Sequence, residues 1–129
     1  MTKINELYVA PQGEGIHTGI PMLFVRLQGC PLRCAWCDSP FTWSFKSQDG
    51  VSTTLLPQYL ESTRAKWMCL TGGDPVAPRL ATLTLEALYL ASCYLKKVEV
   101  FTSGFYIPSD SMLLNVDSWV VDIKCPSSG

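Results

Sequence analysis

The fold is decided by residues 22–39, which read MLFVRLQGCPLRCAWCDS. The first six residues form a largely apolar run typical of a buried strand, and Gly29 ends it. Three cysteines follow with the spacing CxxxCxxC, at Cys30, Cys34 and Cys37. Because soft thiolates so close together can grip one compact metal centre, the stretch predicts a strand that leads directly into a metal-binding loop.

Strands and helices alternate outward from this segment. Further strands are predicted over residues 66–71, 98–102 and 119–123, and helical periodicity runs over residues 56–63, 80–95 and 108–115. The glycine-rich first 20 residues are expected to be irregular or hairpin-like. This alternation predicts βαβ units and a parallel sheet, so we expect an α/β fold with about four strands, and residues 1–129 forming a single domain.

Composition excludes several classes of protein. Of the 129 residues, 47% are hydrophobic and 16% charged, which predicts a packed core. Ten basic against eleven acidic residues give a net charge of −1, so a strongly basic nucleic-acid-binding face and direct nucleic-acid binding are not expected. No apolar run reaches the roughly 18 residues of a membrane span, and residues 1–6 have no apolar core of a signal peptide. A cytoplasmic location without membrane association is therefore expected.

The six cysteines favour a metal site over a disulfide framework. No secretory signal is visible, and three of the six cluster within eight residues. Cys69 and Cys93 lie in apolar runs and are predicted to be small buried hydrophobic residues. The triplet fits either a zinc site with a distant fourth ligand such as Cys125, or an iron–sulfur cubane with one iron lacking a protein ligand.

Distinctive loops follow the predicted strands. The second strand runs into Thr71-Gly72-Gly73-Asp74-Pro75, the third into Ser103-Gly104, and the fourth into Lys124-Cys125-Pro126. In parallel α/β sheets the ligand site lies beyond the carboxyl ends of the strands. The sequence therefore predicts one site, built by these loops together with the cysteine loop.

The cysteine spacing after a strand resembles that of radical S-adenosylmethionine enzymes, and the wider pattern resembles the 7-carboxy-7-deazaguanine synthase family. The resemblance extends from residue 4 to the last residue. It is carried by QGEG at residues 12–15, FVRLQGC at 24–30, WCDS at 36–39, LTGGDP at 70–75 and KCPSSG at 124–129. The triplet marks only the superfamily, whereas the first and last of these segments are specific to the synthase.

The resemblance implies a fold, cofactors and a reaction. The fold is a partial parallel (β/α) barrel of the radical S-adenosylmethionine type, here the N-terminal portion of a longer family fold. A [4Fe–4S] cluster would bind Cys30, Cys34 and Cys37, S-adenosylmethionine would complete the open iron, and Ser39 would hold Mg²⁺. The reaction would convert 6-carboxy-5,6,7,8-tetrahydropterin to 7-carboxy-7-deazaguanine with loss of ammonia. An electron donor such as flavodoxin or ferredoxin and a homodimer are also implied.

The family's binding positions carry over to individual residues. The resemblance places cofactor contacts at Trp36, Asp38, Gly73, Asp122, Ile123 and Lys124. It places substrate contacts at Pro11, Gln12, Gly13, Glu14, Arg26 and Thr71. Arg26 suits the role chemically, because a guanidinium can grip the substrate carboxylate in a fork.

The chain also departs from the family pattern. Asp74 stands where the superfamily usually has glutamate, so a contact to the cofactor's amino group is expected to shift. Phe101 stands where related enzymes often carry an acid, and the chain is shorter than the family. Two alternatives stay open: another small radical S-adenosylmethionine enzyme such as a glycyl-radical-enzyme activase, and a non-catalytic metal-binding fragment.

Overall fold

The computed structural model describes residues 4–27 and 53–122. The strands are β1 (Ile4–Pro11), β2 (Pro21–Leu27), β3 (Trp67–Gly72), β4 (Lys97–Thr102) and β5 (Ser118–Val121). The helices are α1 (Leu56–Ser62), α2 (Ala81–Cys93) and α3 (Asp110–Asn115), with short 3₁₀ turns at Thr53–Leu55 and Pro78–Leu80. The predictions for residues 30–39, and for Ile123 and Lys124, lie outside the described residues.

The five strands form one sheet in the order β1-β2-β3-β4-β5. β1 pairs with β2 in antiparallel fashion, and the other three pairings are parallel. The α/β class and the largely parallel sheet are confirmed. The four predicted strands are all present, and the start of the chain, expected to be irregular or hairpin-like, adds a fifth strand that pairs with β2 over its whole length.

The helices cover one face of the sheet. Every second residue of the inner strands points to that face, for example Leu23 and Val25 of β2 and Met68 of β3. These side chains pack against Leu60 of α1 and Ala87 of α2, all of them almost completely buried. Burying each large aliphatic side chain contributes about 1.5–3 kcal/mol, so packing on this face stabilises the fold. The opposite face of the sheet is not covered by these helices.

The sequence predicts the position of α2 correctly and the burial of Cys93 wrongly. The helix occupies Ala81–Cys93, within the predicted residues 80–95. Cys93, expected to be buried, is exposed, because it lies on the helix side that faces away from the sheet. Among the described residues no helix is long and apolar enough to cross a membrane.

The C-terminus of α2 places a leucine in a conformation that favours glycine. Lys96 N–H donates to the Ala91 carbonyl at 2.8 Å and Leu95 N–H donates to the Ser92 carbonyl at 3.1 Å, the two bonds of a Schellman motif. Leu95 has φ of 58° and a relative exposure of 91%. The left-handed conformation costs a residue with a Cβ about 1–2 kcal/mol.

Leu95→Gly is therefore expected to stabilise the protein. Relief of the left-handed strain outweighs the greater entropy of glycine in the unfolded chain, for a net gain of about 0.5–1 kcal/mol. The midpoint of thermal unfolding should rise by about 2–5 °C. Leu95→Ala is the control, because it removes the exposed side chain and keeps the strain. An equal gain in both variants would assign the effect to the side chain and not to the backbone.

Candidate functional site

The sheet face opposite the helices carries three rows of side chains, and we call it the site face. The strand register defines the rows, because residues paired across neighbouring strands lie at the same height. The lower row contains Ala10, Met22, Trp67 and Lys97. The middle row contains Tyr8, Phe24, Cys69, Glu99 and Ser118. The upper row, nearest the carboxyl ends of the parallel strands, contains Glu6, Arg26, Thr71, Phe101 and Val120.

The upper row brings together two of the predicted substrate-binding residues. Arg26 of β2 pairs directly with Thr71 of β3. The Arg26 side chain is 19% exposed, with its Nε 3.4 Å from the Glu6 carboxylate and its Nη2 donating to the Tyr8 hydroxyl at 3.3 Å. These two β1 residues hold the guanidinium near the carboxyl ends of the strands, where a ligand would approach a parallel sheet.

Hydrogen bonds fix the loop 72–75 to β2 and to α2. Gly73 N–H donates to the Leu27 carbonyl at 2.9 Å, which joins the loop to the last residue of β2. Thr84 of α2 donates its hydroxyl proton to the Pro75 carbonyl at 2.7 Å. Leu27, the partner of Gly73, is the last described residue before the cysteine segment in the sequence.

Asp74 connects the same loop to β4. Its carboxylate accepts hydrogen bonds from the Thr102 hydroxyl at 2.8 Å, the Ser103 hydroxyl at 2.6 Å and the Val76 N–H at 3.1 Å. The residue is only 1% exposed. Asp74 therefore joins the loop to the end of β4, and its shifted contact to the cofactor's amino group stays a prediction.

The carboxyl end of β5 belongs to the same rim. Asp122 N–H donates to the Thr102 carbonyl at 2.9 Å, and the Asp122 side chain is exposed. With the Leu27–Gly73 bond and the bonds of Asp74, this contact links the ends of β2, β3, β4 and β5. The prediction that the loops after successive strands meet is confirmed for the three loop starts that the structure describes.

The predicted substrate residues of the QGEG segment approach from the other end of the sheet. They follow β1, which runs antiparallel to β2, so the β1–β2 loop starts at the lower row. Pro11, Gly13 and Glu14 are exposed there, whereas Gln12 is 3% exposed. The loop crosses the site face as far as β5, since a Cβ on Gly15 would lie 3.1 Å from Val120 Cγ2.

Two titratable residues of the site face region were not among the predicted site residues. Glu99 of β4 is fully buried in the middle row, and its Oε2 lies 2.7 Å from His17 Nδ1. The His17 ring also packs on Trp67 at a centroid distance of 4.3 Å. The one available signal was a single charged residue inside the apolar strand, in Val98-Glu99-Val100.

Cys69 is buried in the middle row as predicted, and burial raises the pKa of its thiol to about 12. The Gln12 amide contact opposes this shift, and the nearby Glu99 charge adds to it. A protonated thiol is a poor metal ligand. Within residues 4–27 and 53–122 no group of three or more histidine, cysteine or acidic side chains could hold a metal ion.

Comparisons with known proteins identify a family and related sequences. Residues 11–122 match the family of 4Fe-4S single cluster domains. The 7-carboxy-7-deazaguanine synthase of Aquifex aeolicus is 41% identical over 101 residues, which cover 78% of this chain and 44% of that protein. The synthase of Pyrobaculum aerophilum is 36% identical over 129 residues, which cover 98% of this chain and 57% of that protein.

A solved structure shares the fold. The crystal structure of QueE from Escherichia coli superimposes with a TM-score of 0.62 at 29% identity, over 83% of this chain and 55% of that chain. The chain thus spans about half the length of the relatives that it matches.

Proposed function

The chain belongs to the 4Fe-4S single cluster domain family, and on that premise we propose that it is the cluster-binding part of a 7-carboxy-7-deazaguanine synthase. The substrate would be 6-carboxy-5,6,7,8-tetrahydropterin, and the enzyme would act as a radical S-adenosylmethionine carbon–nitrogen lyase in 7-deazapurine biosynthesis for tRNA modification. The similar proteins reported above carry the synthase name, which favours this reaction over that of a glycyl-radical-enzyme activase.

The donor set of the chain fits a cluster with one open iron. Cys30, Cys34 and Cys37 supply three soft thiolates within eight residues of sequence, whereas burial raises the pKa of the Cys69 thiol, so Cys69 does not compete for the iron. When bound, the cluster and S-adenosylmethionine would supply the radical that removes a hydrogen atom from the substrate. The protein's part is to orient the substrate and exclude water.

Cofactor binding is proposed at the rim formed by the strand ends. Gly73 and Asp122 lie on this rim, each held by a backbone hydrogen bond to a neighbouring strand end. Glycine lets a ligand approach the backbone closely, which suits the amino acid part of S-adenosylmethionine. Trp36, Asp38, Ile123 and Lys124 are proposed as further contacts from the resemblance.

The observation that carries the substrate proposal is the pairing of Arg26 with Thr71 beside Gly73. A guanidinium at this edge can bind the carboxylate of 6-carboxytetrahydropterin in a fork, and the Thr71 hydroxyl can donate or accept a further hydrogen bond. Glu14, exposed in the β1–β2 loop, suits the guanidine-like edge of the pterin ring. Pro11, Gln12 and Gly13 complete the proposed set.

Arg26→Ala is expected to weaken binding of 6-carboxypterin, a stable oxidised analogue, by about tenfold. Hydrogen bonds to charged groups contribute about 1.5–3 kcal/mol, and the lower end applies here because the arginine is partly exposed. Binding is measured by pterin fluorescence on the anaerobically reconstituted chain. Arg64→Ala, an exposed arginine outside the site face, is the matched control. Equal affinity in the Arg26 and Arg64 variants would remove Arg26 from the site.

Magnesium is proposed at Ser39, with substrate oxygens and water as the other ligands. If the metal orients the substrate, Ser39→Ala should lower the ratio of product to 5′-deoxyadenosine and leave the cluster content unchanged. The assay follows both products with and without added Mg²⁺, in a form that carries the remaining half of the relatives' length. For the 129-residue chain we expect cleavage of S-adenosylmethionine without product. Equal loss of both products in Ser39→Ala would contradict the role.

Electron transfer and assembly complete the proposal. A flavodoxin or ferredoxin would reduce the cluster, and the enzyme would be a homodimer, both as the resemblance implies.

A further inference from the structure

Glu99 is a fully buried carboxylate on the site face to which the proposed reaction assigns no role. Its Oε1 accepts a hydrogen bond from Gln12 Nε2 at 2.8 Å, and its Oε2 accepts one from the Ser118 hydroxyl at 2.9 Å. His17 Nδ1 lies 2.7 Å from the same Oε2. One side chain of β4 thus contacts the β1–β2 loop at two points and β5 at a third.

The carboxylate decides which way the Gln12 amide faces. The Gln12 amide turns its NH₂ group toward Glu99, because the carboxylate oxygen Oε1 accepts the hydrogen bond. Its Oε1 then faces the Glu14 N–H, which lies 3.3 Å away. The Nε2 also lies 3.6 Å from the sulfur atoms of Met22 and Cys69, which leaves the amide enclosed.

Because the Gln12 side chain is enclosed, the substrate contact proposed for Gln12 would come from its backbone, and the side chain acts on a ligand through Glu14. Its two ends join Glu99 to the backbone of Glu14, whose own side chain is exposed. The second attachment is His17, which packs against Trp67. Residues 13–16, all exposed, span the interval between these two anchors.

We propose that Glu99 is a positioning residue for substrate recognition: through Gln12 and His17 it fixes the β1–β2 loop across the site face, so that Glu14 is presented to the guanidine-like edge of the pterin ring. The inference rests on the proposed function for the identity of the ligand. The part of the inference that concerns the position of the loop depends only on the contacts of Glu99 and does not require the ligand to be known.

The test uses the Glu99→Gln variant and a reciprocal swap. Glutamine at position 99 keeps the volume but can donate as well as accept, so the orientation of the Gln12 amide is no longer dictated. Affinity for 6-carboxypterin should fall at least tenfold. The double variant Gln12→Glu with Glu99→Gln restores an amide–carboxylate pair and an acceptor for the Glu14 N–H. It should recover affinity to within about threefold of the parent.

Ser118→Ala is the control for a merely structural effect. It removes another hydrogen bond of Glu99 without touching the loop, so it should lower the urea midpoint of unfolding and leave the affinity unchanged. The proposal would be overturned if affinity for 6-carboxypterin fell in parallel with stability in every variant, Ser118→Ala included. It would also be overturned if the double variant recovered stability but not affinity.

Amide hydrogen exchange at Glu14 separates this proposal from the proposed function. The Glu14 N–H should be protected in the parent, lose protection in Glu99→Gln, and regain it in the swap. If the parent does not bind 6-carboxypterin, the proposed function fails for this chain, and the exchange pattern still decides the positioning role. Equal exchange at Glu14 in the parent and in Glu99→Gln would overturn that role whatever the ligand.

Discussion

Replacing any one of Cys30, Cys34 and Cys37 by alanine is expected to abolish the iron that the chain retains after anaerobic reconstitution. A cubane held by two thiolates would expose two irons without a protein ligand to water, and such a cluster does not persist. Iron and sulfide per chain are measured after desalting, together with the visible absorption of the cluster. The loss should be essentially complete in each single variant.

Three other cysteines supply matched controls. Cys69→Ala should keep the iron and cost about 1–2 kcal/mol of stability, because it removes a buried group from the site face. Exposed Cys93, replaced by alanine, should change neither. Cys125→Ala distinguishes the zinc alternative, since a zinc site using Cys125 as fourth ligand would lose its metal in that variant. Retained iron in Cys34→Ala combined with lost iron in Cys69→Ala would refute the assignment.

Local sequence patterns predicted most of the secondary-structure elements of the fold. The apolar runs of β2 and β4 and the helical spacing of α2 predicted these elements to within a few residues, because both patterns reflect burial of side chains in the core. The first strand was less visible. Residues 4–11 alternate weakly, and their strand conformation depends on pairing with β2, which a local pattern does not contain.

The burial of Cys93 was predicted wrongly because the sequence does not show which side of α2 faces the sheet. The helix α2 is apolar on most of its surface, so periodicity could not show which stripe faces the sheet. Tyr89 and Cys93, four residues apart, share the exposed side, whereas Ala87 and Ala91 share the buried one. Tertiary packing made that choice.

The sequence predicted which residues belong to the candidate site, but not the hydrogen bonds that join them. Arg26, Thr71 and Gly73 stand in recognisable segments, and the structure brings them to one edge. The bonds of Asp74 to Thr102 and Ser103 cross 28 and 29 residues of sequence, and the bond of Gln12 to Glu99 crosses 87. Contacts at such separations leave no local pattern, and they decide which polar side chains are turned inward.

Gly72→Ala is expected to cost the largest stability loss of any glycine substitution in the described part of the chain. Gly72 has φ of 104°, a conformation that L residues rarely adopt. A Cβ there would lie 2.4 Å from Arg26 Cγ, 2.5 Å from Leu27 N and 2.7 Å from Leu27 O. The Arg26 side chain can move aside, but the Leu27 backbone is held by its pairing in the sheet.

The strain and the clash together should cost at least about 3 kcal/mol, measured as the urea midpoint of unfolding. Two other glycines resolve the contributions. Gly19 has φ of 91° with no atom within 4 Å of its Cβ position, so Gly19→Ala should lose only the strain, about 1–2 kcal/mol. Gly13 has neither feature, and Gly13→Ala should stay within about 1 kcal/mol of the parent. Because the clash pushes β3 away from β2, Gly72→Ala should also separate the Gly72–Pro75 loop from Leu27 and weaken binding of S-adenosylmethionine. A Gly72→Ala protein no less stable than Gly19→Ala would show that the two strands do not approach so closely.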